Sequence, residues 1–167
     1  MHIIGVGLQG AQPETLRKKC WMYFPEASSP YYRVTVFSNY SPRNVPPIDD
    51  GWSLMAEVCD TPHRPVDPAT LRSSVLAAME RDRLIPPGTR VLSFWQHREE
   101  HGYPTPFLYR DEVLRTISNE LEAHRIFSRG RFGAWLYEVS NQDHSFMQGV
   151  ELVDRWMDGS EEKVFRS

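Results

Sequence analysis

The chain has 167 residues, 40% of them apolar and 25% charged, and its 19 Lys and Arg stand against 22 Asp and Glu for a net charge of −3. This balance excludes a disordered or low-complexity chain and a protein that grips polyanions by bulk charge, so any phosphate must meet a local site and nucleic acid is not an expected partner. No run approaches the ~18 apolar residues of a membrane span, so no membrane is expected either. Met1–Gly10 lacks the basic lead of a secretory signal. Cys20 and Cys59 have no C-x-x-C spacing, and a reduced, cytoplasmic setting is the expectation.

His2 to Leu8 reads as an opening strand, and Trp21 to Phe24 as a short one. Tyr31 to Ser38 (YYRVTVFS) alternates, with Tyr31, Arg33, Thr35 and Phe37 on one face and Tyr32, Val34, Val36 and Ser38 on the other. Ser41 to Gly51 is a Pro- and Asp-rich loop, and Trp52 to Cys59 is a further strand. Asp67-Pro68 starts a helix with an Asp cap and Pro at the first position. Leu71, Val75, Ala78 and Met79 form its apolar stripe, and Pro86-Pro87-Gly88 ends the region. Arg90 to His97 reads as a strand, and Gly102 to Pro106 as a loop. Asp111 is expected to cap a second helix, with Val113, Leu114, Ile117 and Leu121 inward. Ile126 to Val139, with Gly130 and Gly133 among aromatics, reads as a bent strand or strand-loop-strand. Asn141 caps a third helix with Phe146, Val150, Val153 and Met157 inward, and Gly159 stops it. The tail from Glu161 to Ser167 is expected to fray. Together these give one α+β domain over 1–167, a mostly antiparallel mixed sheet with about three helices.

Three motifs look like chemistry and have plainer readings. Gly5 to Gly10 fits G-x-G-x-x-G, but Pro13 obstructs the helix that a pyrophosphate would need, so a glycine-rich strand end is expected. His97 to His101 fits H-x-x-E-H, yet the flanks are strand-like, and residues four apart on a strand lie ~13 Å apart, too far for one zinc. No metal is expected. Asp143-His144-Ser145 holds triad residue types, but adjacent helical side chains diverge, and acidic first-turn residues suit the helix dipole. Arg33, mid-strand, lies either on a solvated face or in a ligand cleft. Arg129 to Trp135 sets arginines beside glycines, as a flat ligand or phosphate would require, or forms a bulge with surface arginines.

Several blocks together carry a stronger signal. Cys20 to Glu26 (CWMYFPE), Tyr32-Arg33 through Pro42, His101 to Pro106 (HGYPTP), Ser128 to Gly133 (SRGRFG) with Trp135 and Tyr137 to Val139, and Asn141 to Met147 (NQDHSFM) resemble the carboxy-terminal part of eukaryotic, especially fungal, UDP-galactopyranose mutases. The likeness runs in order from His2 to about Asp154. In that family a reduced flavin attacks the anomeric carbon of UDP-galactopyranose, UDP leaves, and the sugar reopens and recloses as the furanose. The resemblance implies an α+β substrate-binding region. It implies Arg33 as a diphosphate clamp, and Tyr40, Tyr103 and Tyr137 as hydroxyl donors to the diphosphate. Tyr23 becomes a cleft wall, and Arg131, Asn141 and Gln142 become flavin-facing. FAD is the implied cofactor, and nothing here corresponds to the family's amino-terminal FAD-binding half, its second clamping arginine or its histidine loop. Leu136 and Ser140 stand where Arg and Gly are expected.

Three functions stay open at this point. The first is a truncated mutase-like isomerase that needs a complementing chain and lacks FAD by itself. The second is a stand-alone, cofactor-free isomerase or cyclase of the kind found in fungal secondary metabolism. Tyr103, His101, Tyr137 and Asp143 would be its acid and base groups. The third is a non-catalytic binding module. A small molecule, a UDP-sugar or another, is the expected ligand, and a homo-oligomer or a complementing chain the expected assembly.

Overall fold

The computed structural model describes residues 1–47 and 50–165. Positions 48 and 49 of the expected loop and the last two residues of the expected tail lie outside the described residues. The chain divides into two compact units, Met1–Glu100 and His101–Ser167.

The first unit is built on a five-stranded sheet, β1 (His2–Gln9), β2 (Trp21–Tyr23), β3 (Arg33–Thr35), β4 (Gly51–Val58) and β5 (Val91–Arg98), in the order β2-β3-β4-β1-β5. Every ladder is antiparallel, so residues opposite each other share a face. One face carries Ile4, Val6 and Leu8 of β1 and Trp52, Leu54, Ala56 and Val58 of β4, with Val34 of β3, all buried. Helix α1 (Pro68–Arg81) covers that face through Leu71, Val75, Ala78 and Met79, the stripe expected from spacing. Its start is also as expected: the Asp67 carboxylate accepts from the Ala69 amide at 2.9 Å, and Pro68 takes the first position.

The expected long strand at Tyr31 to Ser38 is corrected to three residues, because the chain turns at Val36 into a 3-10 helix, Phe37–Asn39. Tyr31 is not on the Arg33 face. It is buried, its ring edge-on to Phe24 at 4.9 Å and its hydroxyl donating to Asp82 at 2.6 Å. Gly5 and Gly7 stay inside β1, followed by a 3-10 turn (Glu14–Leu16) where a nucleotide fold needs a helix. A side chain at Gly7 would run into Ser93 Oγ and into Pro46, so this glycine admits the loop onto the sheet.

The second unit contains helices α2 (Arg110–Ala123), α3 (Gly130–Gly133) and α4 (Gln142–Asp158). With α1 these complete the α+β class expected. The α2 cap is Tyr109, at φ 63°, and Asp111 falls one step inside the first turn, where its charge suits the dipole. No α2 residue is buried, and Val113 and Ile117 are exposed, contrary to the inward stripe expected. Ile126 to Val139 contains no strand, because Gly130, at φ 83°, opens the single turn of α3 instead. The tail does not fray over its described part. Glu162 is fully buried, accepting from Arg129 Nε at 2.6 Å and from Arg155. Gly159, at φ 81°, ends α4 as expected.

Candidate functional site

The outer face of the sheet holds the first group of expected ligand-binding residues. Its alternation places Ser53, Met55 and Glu57 opposite in sense to the buried Trp52, Leu54, Ala56 and Val58. Register then aligns Tyr23, Arg33, Glu57 and Ile3 in one cross-strand row, with Trp21, Thr35, Met55, Gly5 and Trp95 in the next. Trp21, Tyr23 and Trp95 are exposed, so this face presents wide aromatic surface around a cation.

The cation is fixed. Arg33 donates to Glu57 Oε1 from Nε at 2.7 Å and from Nη2 at 2.6 Å. The other Glu57 oxygen accepts from the Tyr32 hydroxyl. Glu57 is buried, whereas Arg33 keeps about a third of its side chain in solvent. Burial works against the charge of Arg33, but hydrogen bonds to Tyr23 and Glu57 outweigh it and hold the guanidinium firmly protonated. Burial, and then the bond to Glu57, push the Tyr32 hydroxyl well above its ordinary range, so it stays a donor. Tyr40 follows the 3-10 turn, exposed and close enough to feel the Arg33 charge. Tyr23, Arg33 and Tyr40 thus belong to one neighbourhood. Glu57 and Tyr32, which hold Arg33 in place, are the members of this cluster that sequence reasoning missed. The signal was an acidic residue on the polar side of a strand, whose partner only register reveals.

The second unit gathers the other group. Arg131 donates from Nε to the Ser140 carbonyl at 3.1 Å, and its guanidinium lies 5.1 Å from the Tyr103 ring centre. The Ser140 hydroxyl donates to the Tyr137 carbonyl at 3.1 Å, so the Ser at this position is used rather than merely tolerated. Asn141 caps α4 through its backbone conformation and makes no side-chain cap bond, which leaves the first amides of Gln142 and its neighbours open. Tyr103, Arg131, Tyr137, Asn141 and Gln142 therefore surround the start of α4. Arg110 supports this group from α2. Its guanidinium lies 4.9 Å from the Tyr137 ring centre and binds Glu138 at 2.6 Å and Asp111 at 2.8 Å. The bond to Glu138 leads in raising its affinity for its proton.

His101 packs edge-on against Trp135 at 6.3 Å, and Asp143 sits exposed in the first turn of α4. His97 pairs with Glu99 at 3.2 Å, and among the described residues no cluster of His, Cys, Asp or Glu is arranged to hold a metal ion. No helix is long and apolar enough to cross a membrane among the described residues. A groove of about 460 Å³ beside α2 is lined by Leu114, Glu122, Leu136 and Phe165 and by none of the expected ligand-binding side chains.

The donor set at the start of α4 suits the carbonyl and nitrogen edge of a flavin ring: one guanidinium, two carboxamides and open helix amides. It does not extend to a dinucleotide, because the only G-x-G-x-x-G run continues as strand and 3-10 turn.

No protein-family model matches the chain. Among solved structures it is similar to a crystal structure of a reduced UDP-galactopyranose mutase, with a TM-score of 0.90 and 47% identity. The match covers 98% of this chain and 34% of that one, so the chain spans about a third of the mutase's length.

Proposed function

We propose that the chain is the substrate-side portion of a UDP-galactopyranose mutase-like isomerase, working with a complementing chain that brings most of the flavin site. The observation that carries this reading is the Glu57-fixed guanidinium of Arg33 on an open aromatic face, in a chain 47% identical to a mutase. Arg33 binds the diphosphate of a UDP-sugar with the N–H groups that Glu57 leaves free. Its charge, held firmly in place, stabilises UDP as the leaving group, where negative charge accumulates. Tyr40 donates to a phosphate oxygen, and Tyr23 and Trp21 wall the sugar nucleotide. Glu57 fixes the direction in which Arg33 points and is itself held by Tyr32. A reduced flavin, when bound, supplies the nucleophile for the anomeric carbon; Arg131, Asn141 and Gln142 would hold its ring edge.

Titration with UDP tests the nucleotide half of this reading. Arg33→Ala removes charge-assisted bonds of ~1.5–3 kcal/mol each, so UDP affinity should fall by about a hundredfold or more. Glu57→Gln keeps the shape but frees the guanidinium to wander, and should cost about tenfold. An Arg33→Ala variant that binds UDP as tightly as the parent overturns the assignment. Conversion of UDP-galactopyranose should appear only when flavin and the complementing portion are both supplied.

A further inference from the structure

Helix α4 is turned inside out. Phe146, Val150, Val153 and Met157 recur at helical spacing and form one stripe. In the fold that stripe faces solvent: Phe146 is 72% exposed, Val153 52% and Met157 81%, with Trp156 at 61% beside them. The buried side of the helix is polar. Gln148 has no exposed surface, accepts from the Gly130 amide at 2.8 Å and donates to the Val139 carbonyl at 2.8 Å. Arg155 is tied to Glu122 at 3.1 Å and to Glu162, and Glu151 accepts from the Val164 amide at 2.9 Å. These bonds pin the helix about its axis, so it cannot roll to hide the stripe.

The rest of the second unit does not compensate. Ala134 is its one buried apolar residue among those described, against seventeen clustered in the first unit. A unit of this size without an apolar core needs covering surface from elsewhere.

We infer that the outward face of α4 is the seat for a polypeptide carrying the remaining two thirds of a mutase. The inference rests on the mutase-like reading above. Two observations choose this occupant. The likeness at a TM-score of 0.90 covers nearly all of this chain but only 34% of the mutase, so the same helix there belongs to a much longer folded chain. The stripe is also too small to serve a second copy. It is about 17 Å long and about 10 Å wide, and two such stripes laid together fall well below the ~1,200 Å² of a stable complex. Met147 and Met157 give the seat adaptable side chains.

The test co-expresses this chain with the two thirds of the solved mutase's chain that lie outside the match. One species of summed mass by light scattering is the expected result. Phe146→Asp with Val153→Asp puts charge into the seat and should weaken the complex about thirtyfold or more. The milder pair Phe146→Ser and Val153→Ser, checked for unchanged circular dichroism, should weaken it about tenfold. Separate elution of the parent chain and the mutase portion overturns the inference. So does a dimer of this chain alone that the Asp pair dissolves, which would give the face to a second copy. A complex that fails to bind UDP leaves the seat standing and removes the nucleotide reading. UDP binding by a chain that forms no complex does the reverse.

Discussion

Beneath the sheet of the first unit, Ile4, Val6, Leu54 and Val75 bury one another, whereas the second unit buries Ser140, Gln148 and Glu162 and leaves Phe146, Val153 and Met157 in solvent. The first unit therefore carries its own hydrophobic driving force. The second is held by directional bonds: the Glu122–Arg129–Glu162–Arg155 network, with Phe165 stacked 3.7 Å from the Arg129 guanidinium. Such networks fix geometry but add little net stability, because both charges lose their water. A unit organised this way has exact internal positions and little resistance to opening. That suits a surface that completes itself on a partner.

The widest gap between the units should appear in native-state hydrogen exchange of the isolated chain. Amides of α4 should exchange about a thousandfold faster than those of β1 and β4, since local opening costs little where few apolar contacts are lost. Equal protection in both would remove the distinction. Core truncation comes next. Leu54→Ala should cost about 3 kcal/mol in urea unfolding, whereas Val153→Ala on the open stripe should stay within about 0.5 kcal/mol.

Glu162→Gln should loosen the second unit by about 3 kcal/mol, because Arg129 and Arg155 lose their buried partner. The same carboxylate sets an acid limit. Burial alone would raise its pKa, but bonds to Arg129 and Arg155 prevail and hold it below its ordinary 4.5. Its stabilising effect is present above that value and lost as pH falls through the depressed one. Glu122, held down first by Arg155, acts in the same direction. Near-ultraviolet dichroism should therefore show the second unit melting first as pH drops below the ordinary 4.5, with a shallower dependence in Glu162→Gln. The smallest effect is expected at a helix start in the stable unit. Asp67→Ala removes the cap on Ala69 and should cost about 1 kcal/mol by thermal unfolding.

The first unit was the more legible in sequence. Strands β1, β4 and β5, the Asp67-Pro68 cap, the α1 stripe and the Pro86-Pro87-Gly88 break follow from local rules that the tertiary structure does not oppose. The strand from Tyr31 failed beyond Thr35, because alternation continues through Phe37 while the backbone turns at Val36. Of the site, Tyr23, Arg33 and Tyr40 were readable as residue types in familiar blocks. Glu57 was not, because its tie to Arg33 depends on a pairing 24 positions apart.

The amino-acid order by itself determined the helix limits at Asp67 and Gly159, the apolar periods of α1 and α4, and which side chains carry charge, since these depend on neighbours within a turn or two. Only the tertiary structure decided which way the α4 stripe faces. Periodicity defines a face but not what lies against it, and here bonds from Gln148 and Arg155 to distant segments turned the polar side inward.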